Sequence, residues 1–401
     1  MISTGKNILE ANNEKLSNGS SKRLLKGITW NHSRGLVPLV SASQRFSEFH
    51  PDVEIQWEKR SLQQFADYPI EKLTEFYDML IIDHPWVGTA AATNCVLPLN
   101  KHLPEAFLKV LEENSVGDSH KSYHYGGSQW ALAIDAATPV ASYRKDIFEK
   151  QDIKIPQTWE DLLALAKKGK VAAPAIPIDL LMNFYSFCIT SGNVPFQSKR
   201  EMVDLQTGVI ALQTMRELYS LLEKKMFEYN PIQVAEAMSQ TDDYWYCPFA
   251  YCYSNYSREG YSKNVLCYGD TVTINHHKIL TTLGGTGIAV SAFSQNKDLA
   301  LSFLQFASSP EYLASEYILN GGQPGYGFGW ANECVNSLTN DFFNNSLPVI
   351  ERSYVRPRYH GYLYFQDFAG DYIQEYLMKG SVNEKIILDK LNQVYIQSLK
   401  Q

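Results

Sequence analysis

The sequence predicts an α/β fold, and three observations carry that reading. Strand-like and helix-like segments alternate from about residue 24 onward. The run at 79–82, MLII, is uninterruptedly apolar, as in a strand buried on both faces of a parallel sheet. Finally, 401 residues that are 45% hydrophobic and 20% charged can bury the core of roughly two to three domains, which argues against disorder and against a small disulfide-stapled scaffold.

Residues 1–21 read as a flexible leader, with few apolar residues and no helical or strand period. The fold is expected to begin at Leu24, with a strand over 24–30. Leu36, Val40 and Phe46 then recur at near-helical spacing until Pro51 forbids continuation. Val53, Ile55 and Trp57 alternate with Glu54 and Gln56 as a second strand, and the 79–82 run is a third. A strand is expected over 130–134. Thr158 and Asp161 have the spacing of a capping box, ahead of an apolar face built by Leu162, Leu163, Leu165 and Ala166. Residues 283–291 form a glycine turn leading into a strand, after which Leu299, Phe303, Leu304 and Ala307 mark a helix stopped by Pro310. The cluster at 321–325, GGQPG, reads as an exposed connection, and Ile386, Ile387, Leu391, Val394 and Tyr395 predict a packed terminal helix over 382–399.

The net charge of −7, without a basic tract or stripe, removes the usual electrostatic drive toward nucleic acid. No apolar run approaches the roughly 18 residues of a spanning helix. The first thirty residues lack the basic segment, apolar stretch and cleavage site of a secretory signal, so the chain reads as cytoplasmic if it is complete. The six cysteines show neither disulfide density nor paired C-x-x-C spacing, and most read as buried, reduced thiols. His276 and His277 are expected to point apart on a strand, which gives them no shared metal. No metal site and no cofactor is expected. No phosphate-binding loop, nucleophile elbow or zinc-protease motif appears.

Three segments in order carry a resemblance. The first runs FSEFHPDVEI over 46–55, followed by YDMLIID over 77–83 and LPLN over 97–100. The second is GGSQWALAID over 126–135, continuing through YRKDIF over 143–148 to PQTWEDLL over 156–163. The third is GGTGIAVS over 284–291, with ALSFL over 300–304 and the turn at 322–324. Together they resemble the extracellular solute-binding proteins of bacterial ABC importers, specifically the large carbohydrate-binding group. The resemblance implies a periplasmic-binding-protein-like (type II) fold of two α/β lobes with an interlobe ligand cleft, closed by hinge bending. It implies lobe 1 over 22–137 plus 288–323 and lobe 2 over 138–287 plus 324–401. Crossings are expected near 134–140, 287–291 and 322–325. It also implies a small-molecule ligand, an ABC permease as partner, a monomer, and a periplasmic or extracellular location.

Ligands in open α/β sheets sit outside the carboxyl ends of strands, and the candidate residues follow from that rule. Trp30, Asn31, His32 and Arg34 follow the first strand. Arg34 offers a planar fork of donors for a carboxylate or paired hydroxyls, although a surface salt bridge and a helix cap account for the same loop. Asp83, His84 and Trp86 follow the third strand, where a carboxylate accepts sugar hydroxyls and a Trp face stacks on a pyranose ring; alternatively Asp83 is a helix cap and Trp86 is core. Asp135 lies just past another strand. The aromatic-rich stretch over 242–256 is expected to line the second lobe, with Tyr251, Tyr253 or Tyr256 stacking and Asn255 hydrogen-bonding; an irregular aromatic core is the alternative. Gly284 and Gly285 would let backbone approach a ligand closely. The rival to a binding protein is an enzyme or ligand sensor on the same scaffold. Thiaminase-like enzymes share the fold and use a cleft cysteine near the first crossing, but residues 134–138 contain none. Only Cys247 or Cys252 remain as nucleophile candidates.

Overall fold

The computed structural model describes residues 22–62, 64, 68–380 and 382–401, and the expected leader over 1–21 lies outside the described residues. Strand β1 (Arg23–Trp30) leads into helix α1 (Ser33–Phe49), followed by β2 (Val53–Arg60) and β3 (Met79–Ile82). After a series of short helices and a small ribbon come β4 (Leu132–Ala137) and β5 (Pro139–Tyr143). Helices α2 (Trp159–Ala166), α3 (Pro177–Thr190) and α4 (Leu205–Tyr219) follow, then β6 (Tyr246–Tyr251), β7 (Cys267–Gly269) and β8 (Gly284–Val290). The last elements used below are α5 (Lys297–Ala307), α6 (Tyr362–Lys379) and α7 (Glu384–Ser398).

The architecture is two-lobed. The first lobe is built on a five-stranded sheet of order β2-β1-β3-β8-β4, in which β1 pairs in parallel with β2 and β3 while β8 runs antiparallel to β3 and β4. Every residue of β3 is buried, in keeping with its unbroken apolar run. The second lobe is built on an antiparallel sheet of order β6-β5-β7, packed with α2, α3, α4, α6 and α7 into a core rich in Tyr and Phe. α3 is buried on nearly all sides and α6 packs along it; a Cβ on Gly370 would collide with the Pro177 carbonyl, so the two helices approach as closely as glycine permits.

The lobes are joined where three segments cross side by side. The chain passes from β4 to β5 through Thr138, whose hydroxyl bonds Thr281 Oγ1 at 2.7 Å and donates to the Thr282 carbonyl at 3.0 Å. Gln323 binds the third segment to the first and to the second lobe: its Nε2 donates to the Ala136 carbonyl and its Oε1 accepts from Ser254 N, in the turn after β6, at 2.7 Å. Strand β8 lies wholly in the first sheet, with Gly284 opposite Ala137.

Several local expectations meet a different outcome. The 321–325 cluster is buried, not exposed, because it threads beneath the hinge: Ala136 N donates to the Gln323 carbonyl at 2.6 Å, and Gly325 sits against Ala133. The strand expected at 130–134 begins at Leu132 and runs on to Ala137. Pro310 begins a short new helix beyond the end of α5. His276 is not in a strand. With Asn275 it has positive φ (67° and 49°), the backbone of a tight hairpin turn between 273–274 and 277–278. The Thr158 and Asp161 capping box is present, and the chain ends in α7 as its apolar spacing requires.

Candidate functional site

The interlobe cleft holds a cavity of about 120 Å3, lined from the first lobe by Trp30, Arg34, Leu62 and Asp83 and from the hinge by Ala137, Gly284, Gly285 and Thr286. The second-lobe side supplies Ile176, Ile178, Asp179, Met182, Asn230, Pro231, Tyr251, Tyr253 and Arg356. It lies at the carboxyl ends of β1 and β3, as expected for an open α/β sheet.

On the first-lobe side the polar groups are already engaged. His32 is the N-cap of α1, and its Nδ1 accepts from the Arg34 amide, which fixes the direction in which Arg34 leaves the helix. The Arg34 side chain is buried. Its Nε donates to Asp135 Oδ2 at 3.0 Å, its Nη2 donates to Asp135 Oδ1, and its Nη1 donates to the Cys252 carbonyl at 2.7 Å. The guanidinium also lies over the Tyr253 ring, 4.7 Å from its centroid. Burial alone would ease the proton off this group, but the Asp135 charge and hydrogen bonds more than reverse that and hold Arg34 cationic. His32 is pushed down to about 3, first by burial and then by the Arg34 charge, and is neutral at ordinary pH.

Asp83 caps the turn after β3 by accepting from His84 N at 2.8 Å, and both of its oxygens accept from Arg356 Nη2 at 2.6 and 2.7 Å. Arg356 in turn donates to Gln366 Oε1 of α6. Burial would raise the Asp83 carboxyl, but Arg356 first and the His84 side chain second outweigh it and hold the group well below the usual carboxylate range. Behind this pair His84 is buried and pushed down to about 4, by burial first and by the Arg356 charge second.

The second-lobe side differs. Asp179, in the first turn of α3, is buried, and its Oδ2 has no hydrogen-bond partner among the described residues; burial pushes the carboxyl up to about 8. Thr286 Oγ1 at the hinge is likewise buried and without a partner among them. Tyr251 is oriented by a 2.8 Å hydrogen bond between its hydroxyl and Thr282 Oγ1. A Cβ on Gly284 would overlap the Tyr251 ring, and Gly285 has φ of +96° with the Asp135 carbonyl where a side chain would start, so both positions exclude larger residues.

Of the residues expected to bind ligand, Trp30, Arg34, Asp83, Tyr251, Tyr253, Gly284 and Gly285 meet on this cavity, with Asp135 directly behind Arg34. Trp86 is packed in the first-lobe core with Leu80, Ile82 and Ala133, and His84 lies behind Asp83. His32 sits beside Tyr253 and Tyr261 at the rim, and Asn31 is exposed. Asn255 and Tyr256 form a buried turn in which the Tyr256 hydroxyl donates to Glu236 at 2.7 Å and the Asn255 amide abuts Gly321; neither lines the cavity. Asp179, Thr286 and Arg356 escaped the sequence reading. For Asp179 a signal existed, a lone acid in the apolar segment PIDLLMNFYSFCIT. Arg356 lies in a stretch without periodicity, RSYVRPRYH, and only folding brings it to Asp83.

Comparison with known proteins agrees with this geometry. A family model for the bacterial extracellular solute-binding protein matches residues 30–314. The fold is similar to maltose-bound MalE3 of T. maritima, with a TM-score of 0.78 at 18% identity over 93% of this chain and 98% of that one. It is equally similar to a solute-binding protein of an ABC transporter from Agrobacterium radiobacter in complex with ribitol, with a TM-score of 0.78 and 18% identity over 94% and 100% of the two chains. A third, from Thermotoga lettingae and bound with α-D-tagatose, has a TM-score of 0.77 and 16% identity over 93% and 100%. The chain belongs to the bacterial extracellular solute-binding protein family.

Proposed function

We propose that this member of the family captures a carbohydrate or polyol in the interlobe cavity and delivers it to an ABC permease from outside the cytoplasmic membrane. The observation that carries the proposal is the combination, in one cavity, of aromatic faces from Trp30, Tyr251 and Tyr253 with the unpartnered polar atoms of Asp179 and Thr286. Aromatic faces stack on the apolar side of a sugar ring, and buried polar atoms without partners are satisfied by hydroxyl groups. Closure bends the three crossings at Thr138, Thr281 to Gly285 and Gly321 to Gly325. The ligands of the similar structures, maltose, ribitol and tagatose, set the panel to try first.

An enzymatic reading finds little support in the thiols. Burial pushes Cys247 up to about 12 and raises Cys252, the opposite of what an activated nucleophile requires. The test of the binding reading is a thermal-shift screen of sugars and polyols, followed by small-angle scattering on any hit. A ligand at 100 times its Kd adds about 2.7 kcal/mol to native stability, which the screen resolves. Absence of any stabilising sugar or polyol, together with unchanged dimensions in scattering, overturns the proposal.

A further inference from the structure

Asp179 has no structural employment that accounts for it. A first-turn acid ordinarily caps the free N–H groups of its helix, but α3 starts without a side-chain cap. A buried carboxylate is ordinarily matched by a cation. The lining cations are Arg34 and Arg356, and each is already matched, by Asp135 and by Asp83. With those two pairs cancelling, Asp179 is the one uncompensated ionisable group among the described lining residues. It shares the cavity with the rings of Trp30, Tyr251 and Tyr253, whose faces attract cations.

We infer that the ligand carries one basic nitrogen beside its hydroxyl groups, and that this ammonium pairs with Asp179. The inference rests on the cleft-binding reading above and names the ligand class within it. The ammonium N–H groups donate to the Asp179 oxygens, and the remaining hydroxyls reach Thr286 Oγ1.

The pairing has a proton balance. With its carboxyl held up to about 8 by burial, Asp179 is largely protonated at pH 7 in the empty cavity. Capture of an ammonium ligand therefore expels that proton to solvent, up to one per site, whereas a neutral sugar expels none. The other titratable groups that face Asp179 do not titrate in this range. Tyr219 from α4, Cys247 and Tyr251 from β6 and Tyr253 after it are all raised by burial, and Arg34, Arg356 and Asp83 keep their charges within their pairs.

The test is calorimetric titration of the wild type and Asp179→Asn at pH 7, in two buffers of different ionisation enthalpy. The probes are glucose against glucosamine and 1-deoxynojirimycin, and maltose against acarbose. The nitrogen-bearing members are expected to bind wild type about tenfold or more tightly than the neutral ones. Glucosamine, mostly an ammonium at pH 7, is expected to release most of one proton on binding, and a probe that enters as the free amine to release none because it takes the Asp179 proton itself; Asp179→Asn is expected to abolish the preference and the release. Equal or tighter binding of the neutral members, with no proton release, overturns the inference and leaves the cleft reading standing. If no probe of either kind binds, the cleft reading fails and the inference falls with it.

Discussion

Asp83 and Asp179 face the same cavity from opposite sides, Asp179 buried and Asp83 largely shielded at 16% exposure, yet their carboxyls move in opposite directions. Asp83 accepts two hydrogen bonds from Arg356 and one from the His84 amide and is held low; Asp179 has neither a cation nor a donor among the described residues and rises to about 8. Desolvation is common to both sites, so the partner decides the sign. The comparison separates two uses of buried charge. The first-lobe side spends its carboxylates on contacts that hold the lobes together, Arg34 reaching the Cys252 carbonyl and Asp83 reaching Arg356. The second-lobe side leaves the Asp179 Oδ2 unpartnered among the described residues.

The sharpest way to break the comparison is a pH series of denaturant melts on the ligand-free protein and on Asp179→Asn. A carboxyl whose folded value lies above its unfolded value stabilises the protonated native state, so its contribution is complete below the unfolded value near 4 and is lost as pH rises through 8. Relative to the Asn variant, wild type should lose on the order of 5 kcal/mol between pH 4 and 8. Parallel curves for the two proteins would mean that Asp179 has a partner in solution.

Arg356→Met tests the other side. It strands Asp83 as a buried charge and should cost about 3–5 kcal/mol in melts at pH 7, whereas the double variant Asp83→Leu with Arg356→Met should recover most of that loss. No loss in the single variant would show that the interlobe pair is open in solution. Gly284→Ala pushes a methyl into the Tyr251 ring and should cost about 1–3 kcal/mol through overpacking, with a matching loss of affinity in titration. The smallest effect belongs to Asn31→Ala. That side chain is exposed and off the cavity, so melts should change by less than about 0.5 kcal/mol; a larger change, or a loss of affinity, would extend the site to the rim.

Much of the scaffold was legible because local chemistry dictates it. The MLII run could only be a buried strand, Thr158 and Asp161 could reciprocate only at a helix start, and the apolar spacing from Ile386 to Tyr395 needed a core to pack against. The position of the cleft was legible by the same logic, since loops after β1 and β3 must converge at strand ends. Trp86 satisfies that positional rule too, and only packing sends its ring into the core beside Leu80 while Tyr253 reaches the cavity. In the same way GGQPG has the composition of a surface turn, yet Gln323 supplies the hydrogen bonds that allow it to run buried beneath the hinge.

By itself, then, the sequence determined the α/β character, the order of the elements, the family, and the approximate ends of strands where polar groups gather. Those properties depend on residues within a few positions of one another. The tertiary structure alone decided which polar groups are matched. Arg34 meets Asp135 across 101 positions and Arg356 meets Asp83 across 273, while Asp179 meets no cation among the described residues. The strength and sign of a buried charge depend on what stands within a few ångströms of it, and that neighbourhood exists only once the two lobes have folded together.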